Sequence, residues 1–141
     1  MFGKRRDSAP EPDRSEVCFS YLEAQGYRPE RAPNGMVTFK ADGFLFALTF
    51  DTSDEEFYQM VFPNFWPLGT PEEKGRAVEA AARATADTKV AKVFLVDDNV
   101  WATTEAFCGS AQEFTRAIPR GLRALRAAAQ TFADRMNAGA Q

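Results

Sequence analysis

Hydrophobic positions along this chain change period four times. Val17, Cys18, Tyr21 and Leu22 recur at helical spacing behind Asp13, with Glu16 three residues on as in a capping box and Gly26 placed as a stop. A short helix with one apolar stripe is expected there. From Met36 the period drops to two. Met36–Lys40 leads through the turn signal Ala41-Asp42-Gly43 into Phe44–Asp51, and Thr52-Ser53-Asp54-Glu55 turns the chain into Phe57–Phe62. In the second of these strands Phe44, Phe46, Leu48 and Phe50 share one face, with Leu45, Ala47 and Thr49 on the other. Phe44, Phe46 and Phe50 are the expected core residues. In the third strand Phe57, Gln59 and Val61 oppose Tyr58, Met60 and Phe62, as in an antiparallel meander with one buried face.

Pro63-Asn64-Phe65-Trp66-Pro67 reads as a loop. After it, Thr70-Pro71-Glu72-Glu73 carries an N-cap, Pro at N1 and Glu at N3, a strong helix start. The helix is expected to reach about Lys89, with Glu72/Arg76 and Glu79/Arg83 as ion pairs on its wet side. Its apolar face is read as Val78, Ala81, Ala82 and Thr85, thin enough for another backbone to approach closely. Val90–Val96 and Val100–Phe107 form a hairpin turning at Asp97-Asp98-Asn99. Val93 and Leu95 oppose Phe94 and Val96, so both faces of this hairpin are expected to be covered.

A last helix starts at Ser110 with Glu113 as a second capping box. Phe114, Ile118, Leu122, Leu125, Ala129, Phe132 and Met136 fall within about 40° of one line at roughly 100° per residue. Arg116, Arg120 and Arg123 lie opposite, and Pro119 should kink the helix or restart it. The expected fold is α+β, in the order α-β-β-β-α-β-β-α, with a five-stranded antiparallel sheet and helices packed on it. Residues 13–138 form one domain in this reading, behind a polar, Pro-bearing tail over 1–12.

Composition narrows the chemistry more than the fold. The 141 residues carry a net charge of -3, which disfavours a general affinity for nucleic acid or anionic membrane. The Lys4-Arg5-Arg6 run is read as a solvated terminal cluster. No apolar run approaches the roughly 18–20 residues of a membrane span, and the start has no apolar signal core, so a cytoplasmic protein is expected. With no histidine, His-based triads, His-ligated zinc and His general bases are excluded. Cys18 and Cys108 are the only thiols and are read as a reduced, buried pair. No cofactor is expected.

Two acidic clusters invite chemistry and are better explained as turns. An EF-hand loop beginning at Asp51 would need Gly at its sixth position and Glu at its twelfth, where this chain has Glu56 and Phe62. Asp97 and Asp98 sit at a hairpin tip, whereas catalytic carboxyls are shifted by burial. The thirteen Phe and two Trp remain. Most must build the core. Leu45, Met60, Phe65, Trp66 and Trp101 are the apolar residues left over, and they are the candidates for contact with another chain.

The acidic turn, the aromatic strand ending in Pro63-Asn64-Phe65-Trp66, the capped Ala-rich helix and the stretch TKVAKVFLVDDNVWATTEAF together resemble the YbjN-type family. The resemblance spans Ser15 to Met136. Members of that family are described as bacterial sensory-transduction regulators and share a fold with type III secretion chaperones. The resemblance therefore implies a small non-enzymatic protein of chaperone-like fold, with dimeric relatives that hold protein segments in extended form.

Three function classes follow from these readings. The first is a protein-binding module, chaperone-like or regulatory, holding a protein or peptide segment. The second is a sensor of a small molecule or polyanion through the Arg116/Arg120/Arg123 stripe, and the third, an enzyme, has no catalytic set behind it. One domain with three helices can hardly cover both sides of a sheet. A two-fold symmetric homodimer is expected, with Phe94, Val96 and Trp101 near its interface.

Overall fold

The computed structural model of the protein describes residues 13–139. The expected tail over 1–12, with its Lys4-Arg5-Arg6 run, lies outside the described residues. Elements follow in the order α1 (Arg14–Ala24), β1 (Glu30–Arg31), β2 (Val37–Ala41), β3 (Phe44–Phe50), β4 (Phe57–Pro67), α2 (Pro71–Asp87), β5 (Ala91–Val96), β6 (Asn99–Phe107) and α3 (Ala111–Gly139). The strands form one antiparallel sheet ordered β1-β2-β3-β4-β6-β5. The fold is α+β as expected, but the sheet has six strands rather than five. The added strand, β1, pairs only Glu30 with Thr38 and Arg31 with Val37, too short a stretch to leave a periodic signal.

Helix ends follow local chemistry. In α2, Thr70 Oγ1 accepts from Glu73 N at 3.1 Å while Glu73 Oε1 accepts from Gly69 N at 2.6 Å. The same pattern opens α3, where Ser110 Oγ accepts from Glu113 N at 3.1 Å and Glu113 Oε1 from Gly109 N at 2.7 Å. At the end of α1 Gly26 takes φ +94°, and Tyr27 N donates back to Leu22 O at 3.0 Å, closing a Schellman turn. The expected capping box at Asp13 does not form. Its side chain makes no cap bond to the helix and is engaged by Ser15 Oγ instead.

Three further expectations shift. The 63–67 segment continues β4 rather than leaving the sheet: pairing to β6 slips between Phe62 and Trp66, with Asn64 at φ 51°. Such a bulge lets the strand carry Pro63 without losing its neighbour. The buried face of α2 is Ala77, Ala80, Ala81 and Ala84, one position round from the expected face, and Val78 is left 60% exposed. Thr85 is only half buried. Its hydroxyl accepts from Val93 N at 2.8 Å and donates to Val93 O at 3.3 Å, so α2 caps part of the outer edge of β5. The expected partner of Glu72, Arg76, donates to Met136 O at 3.1 Å, tying α2 to the end of α3; among the described residues neither expected ion pair on α2 forms. Finally, α3 runs through Pro119 without restarting, with that residue on its exposed side.

All three helices lie on one side of the sheet. Their seam residues Phe114, Ile118, Leu122, Leu125, Phe132 and Met136 meet Val37, Phe39, Phe46, Leu48, Tyr58, Met60 and Phe62 from the strands. Tyr58 stacks on Phe114 at 4.7 Å and 23°. Helix and sheet approach closely at Gly121, where a β-carbon would stand 2.6 Å from Met60 Cε. Cys18 and Cys108 belong to this core. Burial pushes the Cys18 thiol up to about 12, against an opposing pull from Arg14, and burial raises Cys108 as well.

Candidate functional site

Cross-strand register assigns the other face of the sheet. Residues paired directly across strands point the same way. Ala47 pairs with Val61, Val61 with Thr103, and Thr103 with Lys92, so these four form one row across β3, β4, β6 and β5. None belongs to the helix-covered set. Two residues along in one direction stand Leu45, Pro63, Trp101 and Phe94, with Val96 just beyond. Two residues along in the other stand Thr49, Gln59 and Glu105, and then Phe57 paired with Phe107. No described helix covers any of them.

The face is thus banded. Phe57 and Phe107 make an aromatic end, with ring centroids 5.8 Å apart and Phe107 74% exposed. Next comes a polar row: Thr49 Oγ1 donates to Gln59 Oε1 at 2.9 Å, Gln59 Nε2 to Glu105 Oε2 at 2.7 Å, and Lys92 Nζ stands 3.1 Å from Glu105 Oε1. The third band is small and low: Ala47, Val61 and Thr103 are buried although no helix lies over them. Thr103 Oγ1 is buried without a hydrogen-bond partner. The fourth band is apolar again, where Trp101 Nε1 donates to Asn64 Oδ1 at 2.9 Å and Phe94 pairs across the hairpin with Trp101. That bond fixes the indole by its polar edge and leaves its faces for contact.

Four of the seven expected contact residues, Leu45, Phe94, Val96 and Trp101, share this helix-free face. The other three do not. Met60 is 1% exposed beneath α3, because its strand face is the one that the helices cover. Phe65 and Trp66 are half buried and turn to the helix side. Their rings meet Phe132 edge-on at 5.6 and 5.5 Å, since the bulge in β4 shifts their phase. Phe44, expected in the core, is 46% exposed at the start of β3, where it meets Phe62 edge-on at 5.6 Å. Phe57 and Phe107 were missed as surface residues. Their signal was alternation: each shares its strand set with a polar residue, Gln59 or Glu105.

The two acidic turns are structural. Asp51 Oδ1 accepts from Ser53 N at 2.8 Å and Ser53 Oγ at 2.7 Å, and these bonds hold its carboxyl below the usual range. Arg14 donates to the carbonyls of Asp51, Asp54, Glu55 and Phe57, latching that turn to α1. Asp97 turns the β5–β6 hairpin at φ 54°, and Asp98 pairs with Lys74 at 2.8 Å. On the helix-free face the carboxylate of Glu105 is held by Gln59 and Lys92. The arrangement offers apolar contact bounded by a polar row, the anatomy of a binding surface.

No protein-family model and no curated protein matches this chain. Among the described residues no helix is long and apolar enough to cross a membrane.

Proposed function

We propose that this chain is a non-enzymatic protein-binding module, regulatory or chaperone-like, and that the helix-free face of its sheet is the binding surface. One observation carries the reading: all three helices pack on one side, and the other side keeps the apolar band of Leu45, Phe94, Val96 and Trp101. The resemblance to the YbjN-type family and the chaperone-like element order fit this reading, as does a cytoplasmic setting. In its specific form a second copy of the chain covers the band, giving a two-fold symmetric homodimer with Phe94, Val96 and Trp101 at the interface. A stable dimer would bury about 800 Å² per partner.

Light scattering coupled to size exclusion at micromolar concentration tests it, given a chain mass of 15.7 kDa. The expected result is a dimer that Trp101→Glu converts to a folded monomer. A wild-type monomer would refute the dimer. If Trp101→Glu also left every captured protein partner in place, the binding surface itself would be refuted.

A further inference from the structure

We propose that the cleft between α3 and the unpaired end of β6 binds a small amphipathic anion: an apolar body with one carboxylate head, of the kind a medium-chain fatty carboxylate presents. The cleft lies on the helix side of the sheet, apart from the apolar band of the helix-free face, although Glu105 of the polar row reaches its rim. It exists because β5 stops short. Ala91 is the last residue of β5 paired with β6, opposite Thr104, while β6 runs on to Phe107. The chain enters β5 from Val90, which takes φ 72°, a strained conformation for a β-branched residue, and stands 73% exposed.

Above the gap, α3 offers Ala117, Gly121 and Ala124 on the flank of its seam. These side chains are too small to fill the space over Met60 and Ala106. The result is a cleft of about 500 Å³, within the range of small-ligand sites. Its floor is apolar, from Met60, Ala106 and Phe114, and the buried methyl of Met60 lies against Gly121 at its base.

The rim supplies the sign of the ligand. Lys89, Arg116 and Arg120 line it together with Glu105 and Glu113. Both carboxylates are already engaged: Glu105 by Gln59 Nε2 and Lys92 Nζ, Glu113 by Gly109 N. The three cations form no ion pair among the described residues. Two guanidinium forks one helical turn apart suit a carboxylate, which each can meet with paired N–H groups. Arg123, on the same stripe in sequence, does not line the cleft. A larger hollow of about 750 Å³ beside α1 lacks this character, because its cation, Arg14, is already bonded to four backbone carbonyls.

Decanoate below its micelle-forming concentration is the probe, with decylamine as the charge control. The Met60 methyl resonance and a binding isotherm are the readouts. Decanoate is expected to saturate one site and shift the Met60 methyl, while decylamine does neither. The double variant Arg116→Ala/Arg120→Ala, altered only at exposed positions, should bind about tenfold more weakly or worse. Ala117→Leu should fill the cleft and abolish the Met60 shift with the fold intact, and it carries the test if the double variant does not fold. The proposal is overturned if decylamine binds as well as decanoate, if decanoate leaves the Met60 methyl unmoved, or if both variants bind as the wild type does.

Discussion

The two faces of this sheet are built from the same strands and obey different rules. On the covered face the residues are large and aliphatic or aromatic, from Val37 and Phe46 to Met60 and Val100, and each meets a helix. On the helix-free face aromatic, polar, small and apolar bands alternate. Burial there comes from neighbours within the sheet: Val61 and Thr103 are hidden by the rows beside them. The difference teaches that burial alone does not identify a core. What separates the faces is whether a second layer fixes the side chains from above, and mutation should expose that difference.

The largest effect is expected on the covered side. Phe132 is fully buried and braces Phe65 and Trp66 from α3. Phe132→Ala should cost about 3–5 kcal/mol of unfolding free energy in urea titration. Trp101→Ala, on the other face, should cost less than about 1.5 kcal/mol in the isolated chain, because its ring already meets solvent. Equal losses would dissolve the distinction between the two faces.

A smaller effect belongs to the buried thiol on the covered side. The Cys18 thiol ordinarily titrates near 9.0, and burial in the fold pushes it up to about 12. Below pH 9 both folded and unfolded chains keep the proton, so the stabilisation tied to this shift is fully present. Between about pH 9 and 12 the unfolded chain ionises while the folded one resists, and stability falls as pH rises. The wild type should therefore lose stability over that window more steeply than Cys18→Ala, by a few kcal/mol at its upper end. Comparing the two slopes is necessary because burial raises Cys108 and Tyr58 as well. Parallel slopes, or rapid labelling of Cys18 in the native protein, would place that thiol outside the core.

How much of this was legible in the chain depended on side-chain contrast. The seam of α3 alternates large apolar residues with arginine, and its phase was readable to within a residue. Both Gly-Ser/Thr-x-x-Glu starts were readable because capping is local. Helix α2 was mis-phased because alanine stands at 77, 80, 81, 82, 84 and 86, which leaves almost no contrast to set a face. Pro63 and Pro67 were read as breakers, although a bulge lets both remain in β4. Strand faces were correctly sorted into pairs of sets, but alternation does not say which set the helices will choose. Met60 was misplaced for that reason, whereas Phe44 lies on the expected face and is exposed because it opens β3. The Arg116 and Arg120 stripe was visible as charge. The cleft beneath it was not, since it depends on Met60 and Ala106 arriving from strands distant in sequence.

A still smaller effect, opposite in sign, is expected at Thr103. Its hydroxyl is buried on the helix-free face with no partner, and an unpaired buried polar group is costly. Valine has nearly the same shape and suits a strand. Thr103→Val should therefore stabilise the isolated chain by about 1 kcal/mol, read from the urea midpoint. If a partner docked on this face supplies a hydrogen bond to Thr103, the same substitution will weaken that association instead. A destabilised monomer would mean that the hydroxyl is satisfied, and that this face is wetter than its burial implies.

The smallest effect should come from the polar row. Lys92 and Glu105 stand 3.1 Å apart with side chains 53% and 29% exposed, so solvent screens the attraction strongly. A double-mutant cycle through Lys92→Met and Glu105→Gln should give a coupling of about 0.2–1 kcal/mol that shrinks as salt is added. Glu105 also accepts from Gln59, whose own oxygen takes the Thr49 hydroxyl, so the row acts as a chain across three strands. Its worth to folding is therefore slight, and its effect on association should be larger. A row of satisfied polar groups between two apolar bands sets register for whatever docks there and penalises a flat apolar partner. Glu105→Leu, which joins the bands into one apolar surface, should leave stability nearly unchanged while making the protein associate less selectively in light scattering. Unaltered association after that substitution would mean that nothing docks across the row.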